Sequence, residues 1–174
     1  MSEYLVISCS LNPDSHSRLL CQAAFRSLSQ GNDVEWIDLR DLGLPVCDGD
    51  SAYAHPAVEP LATKIANARC ILLGTPVYNY DASAAAKNML ELTGRAWTEK
   101  VVGFLCAAGG LMSYMSVMSF ANSLMLDFRC LIIPRFVYAD GNVFGEDGIK
   151  DEKVKARIEE LVQTANRLTK ALSA

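Results

Sequence analysis

A polar segment able to bind an anion follows the first apolar run of the sequence. Residues 8–18 contain four serines, an asparagine and an arginine, and helical spacing begins directly after them. Hydroxyl groups and the free backbone N–H groups of a helix N-terminus can together bind a phosphate. The segment contains neither GxGxxG nor GxxxxGK followed by Ser or Thr, so it is neither a dinucleotide fingerprint nor a Walker loop. A polar turn with Asp14 or Ser15 as helix N-cap explains the same residues, and composition alone leaves both interpretations open.

Two later segments carry residues suited to a flat ligand. Residues 74–81 read Gly-Thr-Pro-Val-Tyr-Asn-Tyr-Asp, and residues 106–110 read Cys-Ala-Ala-Gly-Gly. The tyrosines, asparagine and proline of the first can lie against a heterocycle and meet its polar edge. The small residues of the second let a ligand approach the backbone. A surface turn with packed tyrosines and a strand-to-helix turn with positive φ angles are the structural alternatives.

Alternating strand and helix patterns position these three segments. Short apolar runs predict five strands, at residues 4–9, 34–39, 70–74, 101–107 and 130–138. Helical spacing of apolar residues predicts helices at residues 20–28, 57–66, 82–92, 111–127 and 152–172. Strands that are apolar on both faces and separated by helices indicate a parallel sheet covered on both sides. The predicted fold class is therefore α/β.

The number of strands favours one particular architecture. Five strands joined by right-handed crossovers predict a flavodoxin-like three-layer sandwich with strand order 2-1-3-4-5, rather than a six-stranded Rossmann sheet. Ligands of such sheets bind at the carboxyl ends of the strands, so the segments after strands one, three and four should meet at one edge. Together they suit a flat heterocycle on a phosphorylated chain, for which FMN is the natural candidate.

The composition argues against several functional classes. The 174-residue chain is 51% hydrophobic and 21% charged, as globular domains are, and its net charge of −4 argues against nucleic-acid binding through phosphates. Residues 101–126 lack Asp, Glu, Lys and Arg, but Gly109-Gly110 and several serines divide them into a buried strand, a loop and a buried helix. We therefore expect no membrane segment. The N-terminus lacks the basic region and long apolar run of a signal peptide.

Six scattered cysteines and two histidines form no recognisable catalytic or metal-ligating cluster. The cysteines have no CxxC or CxxH spacing. We interpret them as small core residues of a protein in a reducing compartment, the cytoplasm, and expect no metal site. Neither His16 nor His55 has a carboxylate or cysteine partner at a telling spacing, so no catalytic triad is indicated. His16, within the polar segment, is the better placed of the two for a ligand contact.

At these segments the chain resembles the NADPH-dependent FMN reductase family of flavodoxin-like proteins, which includes quinone, azo-dye and chromate reductases. The resemblance covers nearly the whole chain and rests on residues 10–17 (Ser-Leu-Asn-Pro-Asp-Ser-His-Ser), 74–80, 85–88 (Ala-Ala-Lys-Asn) and 108–110. It implies one flavodoxin-like FMN-binding domain over residues 1–174. Lys87 and Asn88 either close the flavin segment or serve as helix surface and loop anchor.

The resemblance also implies which residues bind FMN. The expected contacts are Ser10, Asn12, Ser15 and Ser17 at the phosphate, joined by His16 from its position in the segment, then Pro76, Val77, Tyr78, Asn79 and Tyr80 along the ring and ribityl chain, and Ala108, Gly109 and Gly110 on the other side of the ring. Two positions depart from the family pattern. Asn12 stands where many members carry an arginine that pairs with the phosphate, and Val77 where many carry glutamate. Arg18, or the helix dipole with the hydroxyl groups, would replace the missing arginine.

A bound flavin would make the protein an NAD(P)H-dependent FMN reductase. The flavin would carry the chemistry, so hydride transfer needs no catalytic acid or base from the protein. NADPH or NADH would be the substrate, and a flavin, quinone or similar small molecule the electron acceptor, in a ping-pong mechanism. One alternative is an FMN electron carrier without NAD(P)H oxidation of its own, although such carriers are usually strongly acidic around the flavin. Another is a nucleotide-phosphate binding module with no redox role.

The predicted helix at residues 111–127 is apolar on several sides. Met112, Met115, Met118 and Met125 recur along it. A sheet covers only one side of a helix, so the rest either packs within the chain or forms a subunit interface. Because proteins of the resembled family are usually dimers or tetramers, we expect a homodimer or homotetramer with this helix in the interface.

Overall fold

One parallel sheet organises residues 2–172, the part of the chain that a computed structural model describes. Its strands and two small hairpins are β1 (Tyr4–Ser8), β2 (Val34–Asp38), β3 (Cys70–Tyr78), β4 (Asp81–Ala82), β5 (Val101–Ala108), β6 (Leu131–Ile132), β7 (Val137–Asp140), β8 (Phe144–Gly145) and β9 (Gly148–Ile149). The α-helices are α1 (His16–Leu28), α2 (Val58–Asn67), α3 (Ala84–Thr93), α4 (Met118–Phe128) and α5 (Glu152–Leu172).

The sheet has the flavodoxin-like order that the sequence predicts. Its strands run parallel in the order β2-β1-β3-β5, and β6 and β7 both pair with the other side of β5. Ser8, at the end of β1, lies beside Asp38 of β2 and Gly74 of β3. Because β3 continues to Tyr78, its last residues project past the carboxyl end of β1.

The predicted fifth strand at residues 130–138 is divided into β6 and β7. Pro134, which lies between them, has no N–H group to donate to a strand ladder. The next residue, Arg135, has a left-handed backbone with φ of 61°. The prediction is therefore correct for the position of the strand and wrong for its continuity.

Two apolar layers separate the sheet from its helices, which confirms the three-layer architecture. Leu5 and Ile7 of β1 belong to one core, and Tyr4 and Val6 belong to the other. The first core includes residues of α2, α3 and α4, and the second includes residues of α1 and α5. All six cysteines are free thiols and five are buried. Their interpretation as core residues is confirmed except for the half-buried Cys47.

Helix α1 approaches β3 closely at Gly74. A Cβ atom at this glycine would lie 1.9 Å from the Cys21 sulfur and 3.2 Å from the Ser17 carbonyl oxygen. Real Cβ contacts are much longer than the first of these distances, so glycine is required here as long as the Cys21 sulfur stays in place. The contact holds the first turn of α1 above the carboxyl end of the sheet.

The expected helix at residues 111–127 begins differently. Leu111–Val117 forms a 3-10 helix with a kink at Ser113, and α4 follows. The Ser113 hydroxyl lies 2.7 Å from the Tyr138 hydroxyl, and the Tyr114 ring stacks on Phe136 with centroids 4.7 Å apart. These contacts with the fifth-strand region keep the segment from continuing as one straight helix.

Only one side of this segment is buried. Phe120 and Leu124 lie in the core. Besides Tyr114, the large exposed side chains are Leu111, Met112, Met115, Met118, Met125 and Leu126, and we call these six the methionine segment. The interpretation that these methionines are buried within the chain is therefore wrong. Among residues 2–172, no helix combines the length and apolarity needed to cross a membrane.

Candidate functional site

The three predicted segments meet in a cleft of about 710 Å³ at the carboxyl edge of the sheet. Its lining comprises Ser10, Asn12, Asp14, Ser15, His16, Ser17, Pro76, Val77, Tyr78, Asn79, Ala107, Ala108, Gly109 and Gly141. All the residues predicted from the sequence are here except Tyr80 and Gly110. Those two line an adjoining cleft of about 500 Å³, which shares Val77 and Asn79 with the first.

The polar end of the cleft is built on the start of α1. Ser15 is the N-cap, because its hydroxyl accepts the Arg18 backbone N–H at 3.2 Å, and it lies 3.0 Å from the Ser17 hydroxyl. The hydroxyl of the buried Ser10 accepts the Asn12 N–H at 3.3 Å. The N-cap interpretation is thus confirmed for Ser15. It is compatible with anion binding, since the first-turn N–H groups of a helix lack acceptors within the helix.

Arg18 lies behind this polar end and does not line the cleft. Its guanidinium donates to Asp38 and to the carbonyl oxygens of Ser10, Asn12 and Pro13. The hypothesis that Arg18 replaces the missing phosphate-binding arginine is therefore wrong. The other hypothesis, hydroxyl groups with the helix N-terminus, agrees with this geometry.

The aromatic end of the cleft is the tip of a β-hairpin formed by β3 and β4. Val77 pairs with Ala82 and Tyr78 with Asp81, which leaves Asn79 and Tyr80 as the two turn residues. Both have positive φ angles, 50° and 64°, as type I′ hairpin turns require. Tyr78 is 54% exposed and Tyr80 70% exposed. The segment is therefore a surface turn, but the interpretation that its tyrosines pack on neighbouring residues is wrong.

Small residues at the end of β5 and directly after it line another side of the cleft. Neither Gly109 nor Gly110 has a positive φ angle, so the alternative of a turn that needs one is wrong. A Cβ atom at either glycine would meet nothing within 4 Å. The Tyr138 hydroxyl donates to the Gly110 carbonyl oxygen and fixes the turn. The result is an open backbone surface that a flat ligand can approach.

A buried hydroxyl network joins the loops beneath the cleft. The Thr75 hydroxyl lies 3.2 Å from the Ser83 hydroxyl and accepts the Ser83 N–H at 3.0 Å. The Ser83 hydroxyl also lies 3.3 Å from the Cys9 carbonyl oxygen, to which it can donate. This network connects the end of β1, β3 and the start of α3. Sequence reasoning missed it, since nothing in the spacing of these residues indicates their contact.

Sequence reasoning also missed three lining residues, of which Gly141 is the most instructive. Gly141 follows β7 and reaches the cleft because β7 ends at the same edge as β5. The rule that ligands bind at strand carboxyl ends would have found it, had it been applied to the fifth strand. The other two are Asp14 and Ala107.

The residues 85–88 lie apart from the cleft. The Asn88 amide donates to the Pro45 carbonyl oxygen and accepts the Cys47 N–H, both at 2.8 Å. Lys87 pairs with Glu91 at 2.7 Å on the surface of α3. These contacts confirm the interpretation of Asn88 as a loop anchor and of Lys87 as part of the helix surface.

The cleft is lined mainly by hydroxyl, amide, aromatic and small side chains, which suit ligand binding. Among the described residues that line it, Asp14 is the only carboxylate, and there is no lysine or arginine. His16 also faces it, and its ring stacks on Phe144 with centroids 4.1 Å apart. Burial raises the pKa of the nearby Cys106 thiol to about 12, so this thiol stays protonated. Residues 2–172 contain no group of three metal-ligating side chains.

Comparison with known proteins agrees with this arrangement. Residues 3–144 match the NADPH-dependent FMN reductase family. The chain is 28% identical over 133 residues to the NAD(P)H-dependent FAD/FMN reductase of Geobacillus thermodenitrificans, covering 74% of this chain and 71% of that protein. It is 27% identical over 161 residues to the NAD(P)H:quinone oxidoreductase of Solanum tuberosum, covering 86% and 83%. The crystal structure of an apo NADH:FMN oxidoreductase shares the fold, with a TM-score of 0.81 at 14% identity over 97% of this chain and 90% of that one.

Proposed function

The chain belongs to the NADPH-dependent FMN reductase family, and from that premise we propose that it binds FMN, oxidises NADPH or NADH, and reduces a flavin, quinone or similar small acceptor by a ping-pong mechanism. The observation that carries this proposal is the cleft itself. It joins a hydroxyl-lined helix N-terminus to an aromatic hairpin. FMN, when bound, supplies a ring that accepts and returns hydride, so the chain contributes binding and orientation.

The residues of the cleft fit FMN at both ends. The hydroxyl groups of Ser10, Ser15 and Ser17 and the first-turn N–H groups of α1 would hold the phosphate. The hairpin tip and the open backbone at Gly109 and Gly110 would flank the ring. The cleft volume of about 710 Å³ lies within the range of about 300–1,000 Å³ that small-molecule sites have.

An FMN electron carrier is the second candidate, and the charges near the cleft favour an enzyme. Electron carriers dock on partner proteins through complementary charge. The described lining of this cleft holds Asp14 as its one carboxylate. A small acceptor needs access to the ring rather than a charged docking surface, and the hairpin tip leaves the cleft open to solvent.

We further propose a homodimer or homotetramer in the cytoplasm. The methionine segment exposes large apolar side chains, including Met112, which is 87% exposed. Met112 also lines the cleft that contains Tyr80 and Gly110, so a second subunit packed here would wall the site. Soluble monomers seldom leave contiguous apolar surface of this kind in water. The free cysteines suit a reducing compartment.

An anaerobic stopped-flow titration tests the activity. The protein is loaded with FMN and mixed with NADPH or NADH, and the flavin absorbance is followed. We expect rapid bleaching by at least one nucleotide, followed by recovery when a quinone or free FMN is added. Bleaching by dithionite but by neither nucleotide would favour the electron carrier. A protein that takes up no flavin would exclude both redox functions.

A further inference from the structure

Arg18, in the first turn of α1, forms hydrogen bonds through every nitrogen of its guanidinium. Its Nε lies 2.5 Å from one Asp38 carboxylate oxygen, and one Nη lies 3.3 Å from the other. The same Nη donates to the Ser10 carbonyl oxygen at 3.0 Å, and the second Nη donates to Asn12 at 2.7 Å and Pro13 at 3.0 Å. These contacts use all five N–H donors of a guanidinium.

The contacts tie the polar segment to the end of β2. Asp38 is the last residue of β2, and it pairs with Ser8 at the end of β1. The side chains of Arg18 and Asp38 are 11% and 9% exposed. Three carbonyl oxygens of residues 10–13 therefore point to Arg18, which does not line the cleft, whereas Ser10 and Asn12 themselves do.

This orientation matters for an anion. Carbonyl oxygens carry the negative end of the peptide dipole, and they repel a phosphate that they face. Arg18, which does not line the cleft, holds three of them in hydrogen bonds to its own guanidinium. Because Asp38 compensates the charge of Arg18, the pair adds little net attraction of its own. Its effect on a phosphate must come from the shape it gives to the segment.

We propose that Arg18 and Asp38 are a positioning pair that shapes residues 10–13 for a phosphate, and so sets the preference of the site for FMN over riboflavin. The inference rests on the proposed function, because it assumes that FMN is the ligand. Lysine cannot replace Arg18, since a single ammonium offers three donors at one point instead of a planar fork. The pair acts through the segment and touches neither ring nor acceptor.

The test compares FMN and riboflavin, which differ only in the phosphate. Dissociation constants for both are measured by flavin fluorescence quenching with the wild type and with the variants R18K, R18M and R18M/D38N. R26M removes the same charge from an exposed position of α1 and is the matched control. The melting temperature of each apoprotein is measured alongside.

We expect the wild type and R26M to prefer FMN, and R18K and R18M to lose about tenfold or more of that preference while riboflavin binding changes little. The double variant leaves no unpaired carboxylate, so its preference should stay low. Recovery of the preference in R18M/D38N would overturn the inference, because repulsion by Asp38 would then explain the loss. An unchanged preference in R18K and R18M would also overturn it. If R18M does not fold, R18K and the double variant decide. A wild type without preference for FMN would instead refute the proposed phosphate site.

Discussion

Replacing Tyr80 by glycine should make the apoprotein more stable and the enzyme less active. Tyr80 is the second residue of the hairpin turn, with φ of 64°. Glycine is strongly preferred at this position, and the variant would carry Asn-Gly, a favoured type I′ pair. Because Tyr80 is 70% exposed and keeps this conformation without packing to stabilise it, we infer that it contacts a ligand.

The size of both effects follows from the backbone and the ring. A left-handed conformation costs a non-glycine residue about 1–2 kcal/mol. Glycine loses about 0.5–1 kcal/mol more conformational entropy on folding. The net gain in unfolding free energy is about 0.5–1 kcal/mol, or about 1–4 °C in Tm at this chain length. A lost aromatic contact of about 0.5–1.5 kcal/mol should weaken FMN binding about twofold to tenfold.

Three measurements check this expectation: the Tm of the apoprotein, the dissociation constant of FMN, and kcat/KM with NADPH. The control is E99G, because Glu99 has the same left-handed backbone, φ of 61°, and does not line the cleft. It should gain stability without loss of flavin affinity. Unchanged FMN binding and activity in Y80G would refute the placement of Tyr80 at the flavin. A less stable Y80G apoprotein would refute the strain argument.

Three further changes test other parts of the site and its assembly. Ser15→Asp keeps an equally good N-cap but places a carboxylate at the phosphate end, so FMN binding should fall at least about tenfold. Riboflavin binding and apoprotein stability should change little. Retained FMN binding would contradict the phosphate assignment. Gly74→Ala should lower the unfolding free energy by about 1–3 kcal/mol in urea, whereas Gly31→Ala, with open space around its Cβ, should not; equal stability of the two would contradict the close helix approach. Met115→Glu or Met118→Glu should reduce the mass seen by light scattering and weaken flavin retention, and a wild type that is monomeric at micromolar concentration with flavin bound would exclude the proposed interface.

Much of the fold could be predicted because its signals are local. Apolar runs such as residues 70–74 define buried strands, and the parallel arrangement follows from their alternation with helices. The rule on strand ends then brought the segments around Ser15, Tyr78 and Gly109 together, and the cleft contains all three. Pro134 itself indicates a break in the fifth strand, because proline interrupts a strand ladder, but the apolar run around it also fits one continuous strand.

The rest depends on contacts between residues far apart in the sequence. Arg18 and Asp38 are 20 positions apart, and only the pairing of β1 with β2 brings them together. The hydroxyl of Tyr138 reaches Gly110 from another strand. No spacing rule indicates such pairs, so the sequence leaves open whether Arg18 contacts the phosphate, and it does not indicate that Arg18 supports the segment from behind.

The close approach of α1 to β3 has a consequence for how this sequence can vary. A Cβ at position 74 would collide with the sulfur of Cys21, at 1.9 Å, but would lie 3.6 Å from the Cys21 Cβ, an ordinary contact. The two positions therefore share one small volume, which a glycine and a cysteine now divide between them. Evolutionary change at one should be accompanied by change at the other: descendants that acquire alanine at position 74 should first have lost the sulfur at position 21. The position of the start of α1 above the sheet is therefore kept only if residues 21 and 74 change together.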